Sequence, residues 1–131
     1  MPGPGAYWFG KEEIDAAMEV MQSGYLFRYG SEDNPKFLQK VSKLETEFAS
    51  YCGAKYALAT SSGTSSLLVS LLALGLKPGD EVIVPAYTFV ATYSACIFAG
   101  LVPVLAEIDE SLSLDPNDIE HRITSRTKAI I

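Results

Sequence analysis

The stretch whose residue types could do chemistry is Thr60-Ser61-Ser62-Gly63-Thr64-Ser65-Ser66. A short apolar run, Tyr56-Ala57-Leu58-Ala59, leads into it, and an apolar run from Leu67 to Leu74 leads out. This layout predicts a buried strand that turns sharply into the N-terminus of a buried helix. The first N–H groups of a helix lack backbone partners and carry a partial positive charge, so such a turn suits a phosphate dianion. Gly63 lets the backbone come close to an anion, and the hydroxyls of Thr64, Ser65 and Ser66 add donors. The same residues also make ordinary helix N-caps, which need no ligand. Their spacing is neither that of a Walker A loop nor that of a GxGxxG fingerprint.

A second candidate turn is Tyr87-Thr88-Phe89, which follows the strand-like run Glu81-Val82-Ile83-Val84 and its stop at Pro85. The elements that must hold these two turns can be read along the chain. Met1 to Gly10 reads as extended, and Lys11 to Ser23 as an amphipathic helix with Ile14, Ala17, Met18 and Met21 on one face, ended by Gly24. Tyr25 to Pro35 is a loop dense in aromatics, able to wrap a ligand or partner, or to be clamped to its own domain. Lys36 to Tyr51 reads as a second helix. Phe37, Val41, Leu44, Phe48 and Tyr51 form its apolar stripe, and Lys40, Lys43, Glu45 and Glu47 its solvated face. A helix from Thr64 to Leu74, a strand at Glu81 and a helix from about Phe89 to Ala99 follow. Next come a strand from Leu101 to Ile108, a helix capped by Asp115 with Pro116 at its first position, and a strand from Lys128. Pro103 inside its strand points to a sheet edge. Such alternation implies an α/β fold with a mostly parallel sheet and helices on both faces. Ligands in such sheets sit beyond the carboxyl ends of the strands, where both candidate turns fall.

The chain has 131 residues, 48% of them apolar and 20% charged, a globular composition. Its net charge of −6 argues against nucleic acid or an anionic membrane as the main partner. No run is long enough to span a bilayer: the longest apolar one, Leu67 to Leu76, contains Ser70 and Gly75. Cys52 and Cys96 show no metal or redox spacing and read as reduced core thiols, with the cytoplasm as the expected compartment.

With both turns in view, the sequence resembles the DegT/StrS-type sugar aminotransferases, pyridoxal 5'-phosphate (PLP) enzymes of the aspartate-aminotransferase fold. The matching residues are Gly10-Lys11-Glu12-Glu13-Ile14, Ser61-Ser62-Gly63-Thr64, Leu76 to Pro85, Tyr87-Thr88-Phe89-Val90-Ala91-Thr92 and Thr127-Lys128-Ala129-Ile130-Ile131. The resemblance implies that residues 1–53 form an N-terminal extended segment with two helices, and that residues 54–131 open the PLP-binding large domain. It implies that the backbone N–H groups of Thr64 and Ser65, with the Thr64 hydroxyl, hold the PLP phosphate, that Gly63 gives clearance, and that Phe89 stacks on the pyridine ring. Arg28 and Tyr29 occupy a loop that lies near the substrate mouth or dimer interface in similar enzymes. His121 reads as a surface residue without a role.

The family's chemistry needs a Schiff-base lysine and an aspartate that keeps the pyridine nitrogen protonated, so that the ring acts as an electron sink. Similar proteins carry both downstream of the region matched here, and none of Lys11, Lys36, Lys40, Lys43, Lys55, Lys77 and Lys128 has that context. No catalytic residue is therefore assigned, and the resemblance implies the N-terminal third of a homodimeric enzyme. That enzyme would move an amino group from glutamate or glutamine to a keto sugar, often nucleotide-linked. A non-catalytic PLP- or sugar-nucleotide-binding protein and an inert truncated fragment are the other two readings.

Overall fold

The computed structural model describes residues 3–131. Contacts divide the chain into two compact units, Met1–Ala59 and Thr60–Ile131. In the first, a short 3-10 turn at Pro4–Tyr7 stands where the sequence suggested extended chain. Helix α1 (Lys11–Ser23) starts where the Glu13 carboxylate accepts the Gly10 N–H at 2.7 Å, and ends at Gly24, whose φ of 69° is left-handed. Helix α2 runs Lys40–Tyr51, four residues shorter at its start than expected. Phe37 is drawn out of the helix to pack on Tyr25, with ring centroids 5.4 Å apart. Gln39 then turns the chain with a φ of 57°. Lys40 Nζ reaches Glu19 of α1 at 2.6 Å. Along α2 only Ala49 is buried, so the expected stripe of Leu44, Phe48 and Tyr51 faces outward. Cys52 is exposed, against expectation, because Gly53 ends the helix there with a left-handed turn; Cys96 is buried.

The second unit holds helices α3 (Gly63–Ala73), α4 (Ala91–Phe98) and α5 (Pro116–Arg122), and strands β1 (Glu81–Pro85), β2 (Val102–Ala106) and β3 (Thr127–Ile130). The strands form one parallel sheet in the order β2-β1-β3. The β-branched run Val82-Ile83-Val84 takes the central place and is wholly buried. Val82 and Val84 share a core with Leu71 of α3 and with Ala95 and Cys96 of α4, so both helices cover that face. Ile83 points to the other by strand alternation. Val102 N–H bonds Asp80 O and Ala86 N–H bonds Ala106 O, which leaves Pro103 on the outer edge of β2, where its missing N–H costs nothing. Tyr56–Ala59 is not a strand: among the described residues no strand pairs with it, and Tyr56 is 77% exposed. Helix α5 begins as the sequence indicates, with Asp115 accepting Asn117 N–H at 2.9 Å.

At the start of β1, the buried Glu81 accepts hydroxyl hydrogen bonds from Thr124 and Thr127 and pairs with Arg126, joining β1 to the segment that leads into β3. The Thr124 hydroxyl, followed by the Arg126 guanidinium, holds this carboxyl below its ordinary value of 4.5. A carboxyl whose value is lowered by folding adds stability above its unfolded value and loses it as pH falls through the folded one. Glu81→Gln is therefore expected to be less stable than wild type at neutral pH, with the gap narrowing in acid. Denaturant titrations across pH 3–7 check this; a gap that does not vary with pH would contradict it.

Candidate functional site

Helix α3 ends shortly before β1 begins, whereas α4 starts shortly after β1 ends, and the two helices pack on each other. Both therefore open at the carboxyl end of β1, which brings the Ser62–Ser65 turn and the Tyr87–Phe89 turn to one end of the sheet. Ser62 is extended and caps α3: its hydroxyl accepts Ser65 N–H at 3.0 Å and its carbonyl accepts Ser66 N–H at 3.0 Å. Thr60 Oγ1 donates to Ser62 O at 2.9 Å and pairs with Ser66 Oγ at 2.6 Å, while Ser62 Oγ lies 2.9 Å from Ser65 Oγ. The hydroxyl run thus ties the turn to itself. Among the described residues nothing accepts from the amides of Gly63 and Thr64, and the Thr64 hydroxyl has no partner. A Cβ added at Gly63 would meet no atom within 4 Å, so the space above the turn is open to a ligand. An open turn with two free amides and a free hydroxyl at a helix N-terminus fits a phosphate group. The Ser65 amide, which the resemblance implies holds the phosphate, is instead bonded to the Ser62 hydroxyl in this structure.

Phe89 is 76% exposed among the described residues. Its carbonyl accepts Thr92 N–H at 3.0 Å, and Thr88 Oγ1 lies 2.9 Å from Thr92 Oγ1, so the backbone beneath the ring is fixed while the ring face is free. Cys96, behind these turns, is raised in pKa by burial and is held in its unreactive thiol form.

Arg28 and Tyr29 belong to the other unit. Arg28 Nη1 donates to Ala59 O at 2.8 Å, and Nη2 pairs with Glu45. Glu45 Oε1 also accepts Ala59 N–H at 2.8 Å. The guanidinium carbon lies 5.3 Å from the centre of the Tyr29 ring, which is itself largely exposed. Tyr25 donates its hydroxyl to Tyr29 O at 2.8 Å, and a side chain at Gly30 would fall 2.7 Å from the Phe37 ring. The aromatic loop is thus clamped to its own unit. The spacing sets Glu45 off the apolar stripe, on the face expected to be solvated; nothing in its local sequence announces a partner at residue 28 or 59. His121 is exposed on α5.

The model of the DegT/DnrJ/EryC1/StrS aminotransferase family matches residues 9–131. The spore coat polysaccharide biosynthesis protein SpsC of Bacillus subtilis is 43% identical over 123 residues, which cover 93% of this chain and 29% of that protein. A dTDP-3-amino-3,6-dideoxy-alpha-D-galactopyranose transaminase of Aneurinibacillus thermoaerophilus is 41% identical over 92% of this chain and 31% of its own length. Among solved structures, NtdA from Bacillus subtilis with bound cofactor PMP superposes with a TM-score of 0.79 at 34% identity, over 97% of this chain and 28% of that one. The chain thus spans about 30% of the length of the proteins it matches. No described helix is long and apolar enough to cross a membrane. The extent of the family match, together with the α/β architecture, is decisive: the chain belongs to the DegT/DnrJ/EryC1/StrS aminotransferase family.

Proposed function

We propose that this chain supplies the phosphate-binding and ring-stacking part of a PLP-dependent sugar aminotransferase. That enzyme, of the relatives' full length, would move an amino group from glutamate or glutamine to a nucleotide-linked keto sugar. The observation that carries the reading is the open Ser62–Ser65 turn, with unpartnered amides at Gly63 and Thr64 and a free Thr64 hydroxyl, in a chain of this family. Gly63, Thr64 and Ser65 would hold the phosphate and Phe89 would cover one face of the pyridine ring, keeping water from it. Bound there, PLP supplies the electron sink that amino transfer requires. The attaching lysine and the pyridine-nitrogen aspartate are read to lie outside residues 1–131. On the substrate side, Tyr29 is the freer member of the Arg28–Tyr29 pair, since Arg28 already serves Glu45 and Ala59. A homodimer working in the cytoplasm, where the two free cysteines stay reduced, completes the reading.

The test is to express the full-length protein, load it with PLP, and supply glutamate or glutamine with nucleotide-linked keto sugars. Appearance of the amino sugar is expected. Cofactor binding without turnover on any such pair would favour a binding or regulatory protein instead.

Phe89 gives a second check. Phe89→Ala is expected to weaken PLP binding by about 0.5–1.5 kcal/mol, the contribution of an aromatic pair beyond its burial. Phe89→Tyr should bind normally, and Phe89→Ala should lower PLP affinity more than it lowers the melting temperature. A large loss of melting temperature with unchanged affinity per folded molecule would remove the stacking role.

A further inference from the structure

The geometry points to Glu45 and Arg28 as positioning residues that hold the backbone entering the Thr60–Ser66 turn. Among the described residues Tyr56–Thr60 lies in no helix or strand, and its peptide groups are met by side chains where partners are seen. At Ala59 both groups are taken by one ion pair: Glu45 Oε1 accepts the N–H at 2.8 Å and Arg28 Nη1 donates to the carbonyl at 2.8 Å. The two side chains also pair with each other, at 20% and 30% side-chain exposure for Glu45 and Arg28. Each arm is itself anchored. Glu45 stands on α2, and Arg28 follows the loop locked by Tyr25, Phe37 and the close approach at Gly30. Charge-assisted bonds in a half-buried setting are short and directional, which suits them to fix one peptide more than to add stability.

Ala59 is followed directly by Thr60, whose hydroxyl bonds Ser62 O and Ser66 Oγ. Movement of the Ala59 peptide is therefore passed along the chain into the hydrogen bonds that shape the turn. Anion binding by fixed amides depends on their placement, and small displacements are costly. This inference rests on the reading that the turn holds the cofactor phosphate, but it assigns the outcome to two residues that need not touch the cofactor.

The test uses the full-length protein without sugar, so that any contact of Arg28 with substrate does not enter. PLP affinity per folded molecule and amide exchange over Ala59–Ser66 are measured in Glu45→Ala, Glu45→Gln, Arg28→Met and, as reference, Thr64→Val. Glu45→Ala and Arg28→Met should bind PLP about tenfold more weakly, as for loss of a bond to a charged group, and exchange faster over Ala59–Ser66. Glu45→Gln keeps an acceptor for Ala59 N–H and should stay close to wild type. Normal affinity in Glu45→Ala and Arg28→Met, with Thr64→Val weakened, would overturn the positioning role and leave the phosphate reading intact. Normal affinity in Thr64→Val would overturn the phosphate reading, and the inference with it, whatever the exchange shows. If Glu45→Ala does not fold, Arg28→Met decides.

Discussion

Thr64→Val in the full-length protein is expected to weaken PLP binding by about 1–3 kcal/mol, the usual range for losing a hydrogen bond to a charged group. Gly63→Val should do more harm while leaving the fold intact. A Cβ at residue 63 meets no protein atom within 4 Å, so the larger side chain has room. What it fills is the space through which the phosphate must reach the two free amides. Cofactor titrations beside thermal melts separate these effects: affinity should fall in both variants with little change in melting temperature. Equal affinities for wild type and both variants would remove the phosphate site from this turn.

Residues 1–131 expressed by themselves are expected to self-associate and to show no transaminase turnover. Large apolar side chains stand open on both units: Leu72 is 60% exposed, Phe98 74%, Leu58 61% and Tyr51 88%. The sheet offers a free edge as well. Ile131 N–H bonds Ile83 O, so alternation turns the backbone groups of Lys128 and Ile130 away from β1, with no strand beyond β3 among the described residues. Open edges and contiguous apolar faces promote association. Sedimentation velocity and a thermal melt test this; a stable monomer with one sharp cooperative transition would contradict it. So would specific trapping of PLP on one of its lysines by borohydride, which would also relocate the catalytic lysine.

Local signals were readable wherever the chain's own neighbours set the structure. Helix α1 has the expected limits because Glu13 and Gly24 cap it from within. The Asp115-Pro116 start of α5 and the edge position of Pro103 follow equally from local chemistry. Expectations failed where a distant partner decides. Phe37 belongs to a helical stripe by spacing, yet Tyr25 and Gly30 take it, and α2 starts late. Tyr56–Ala59 has strand composition but finds no partner strand among the described residues. Leu44 and Phe48 have core character, and nothing among the described residues buries them.

For the candidate site, the turn residues were legible as a type of chemistry, since unpaired amides at a helix start follow from sequence order. Which amides are free was not: Ser62 spends its hydroxyl on Ser65, which leaves Gly63 and Thr64 as the open donors. Glu45 escaped because a glutamate off an apolar stripe is ordinarily solvated, and its partners lie 17 and 14 residues away.

The most direct test of the central claim is a crystal structure of the full-length protein with PLP bound. The phosphate should be hydrogen-bonded to the amides of Gly63 and Thr64 and to the Thr64 hydroxyl, with the Phe89 ring against the pyridine. A phosphate held by other residues, with this turn still closed on its own hydroxyls, would contradict it.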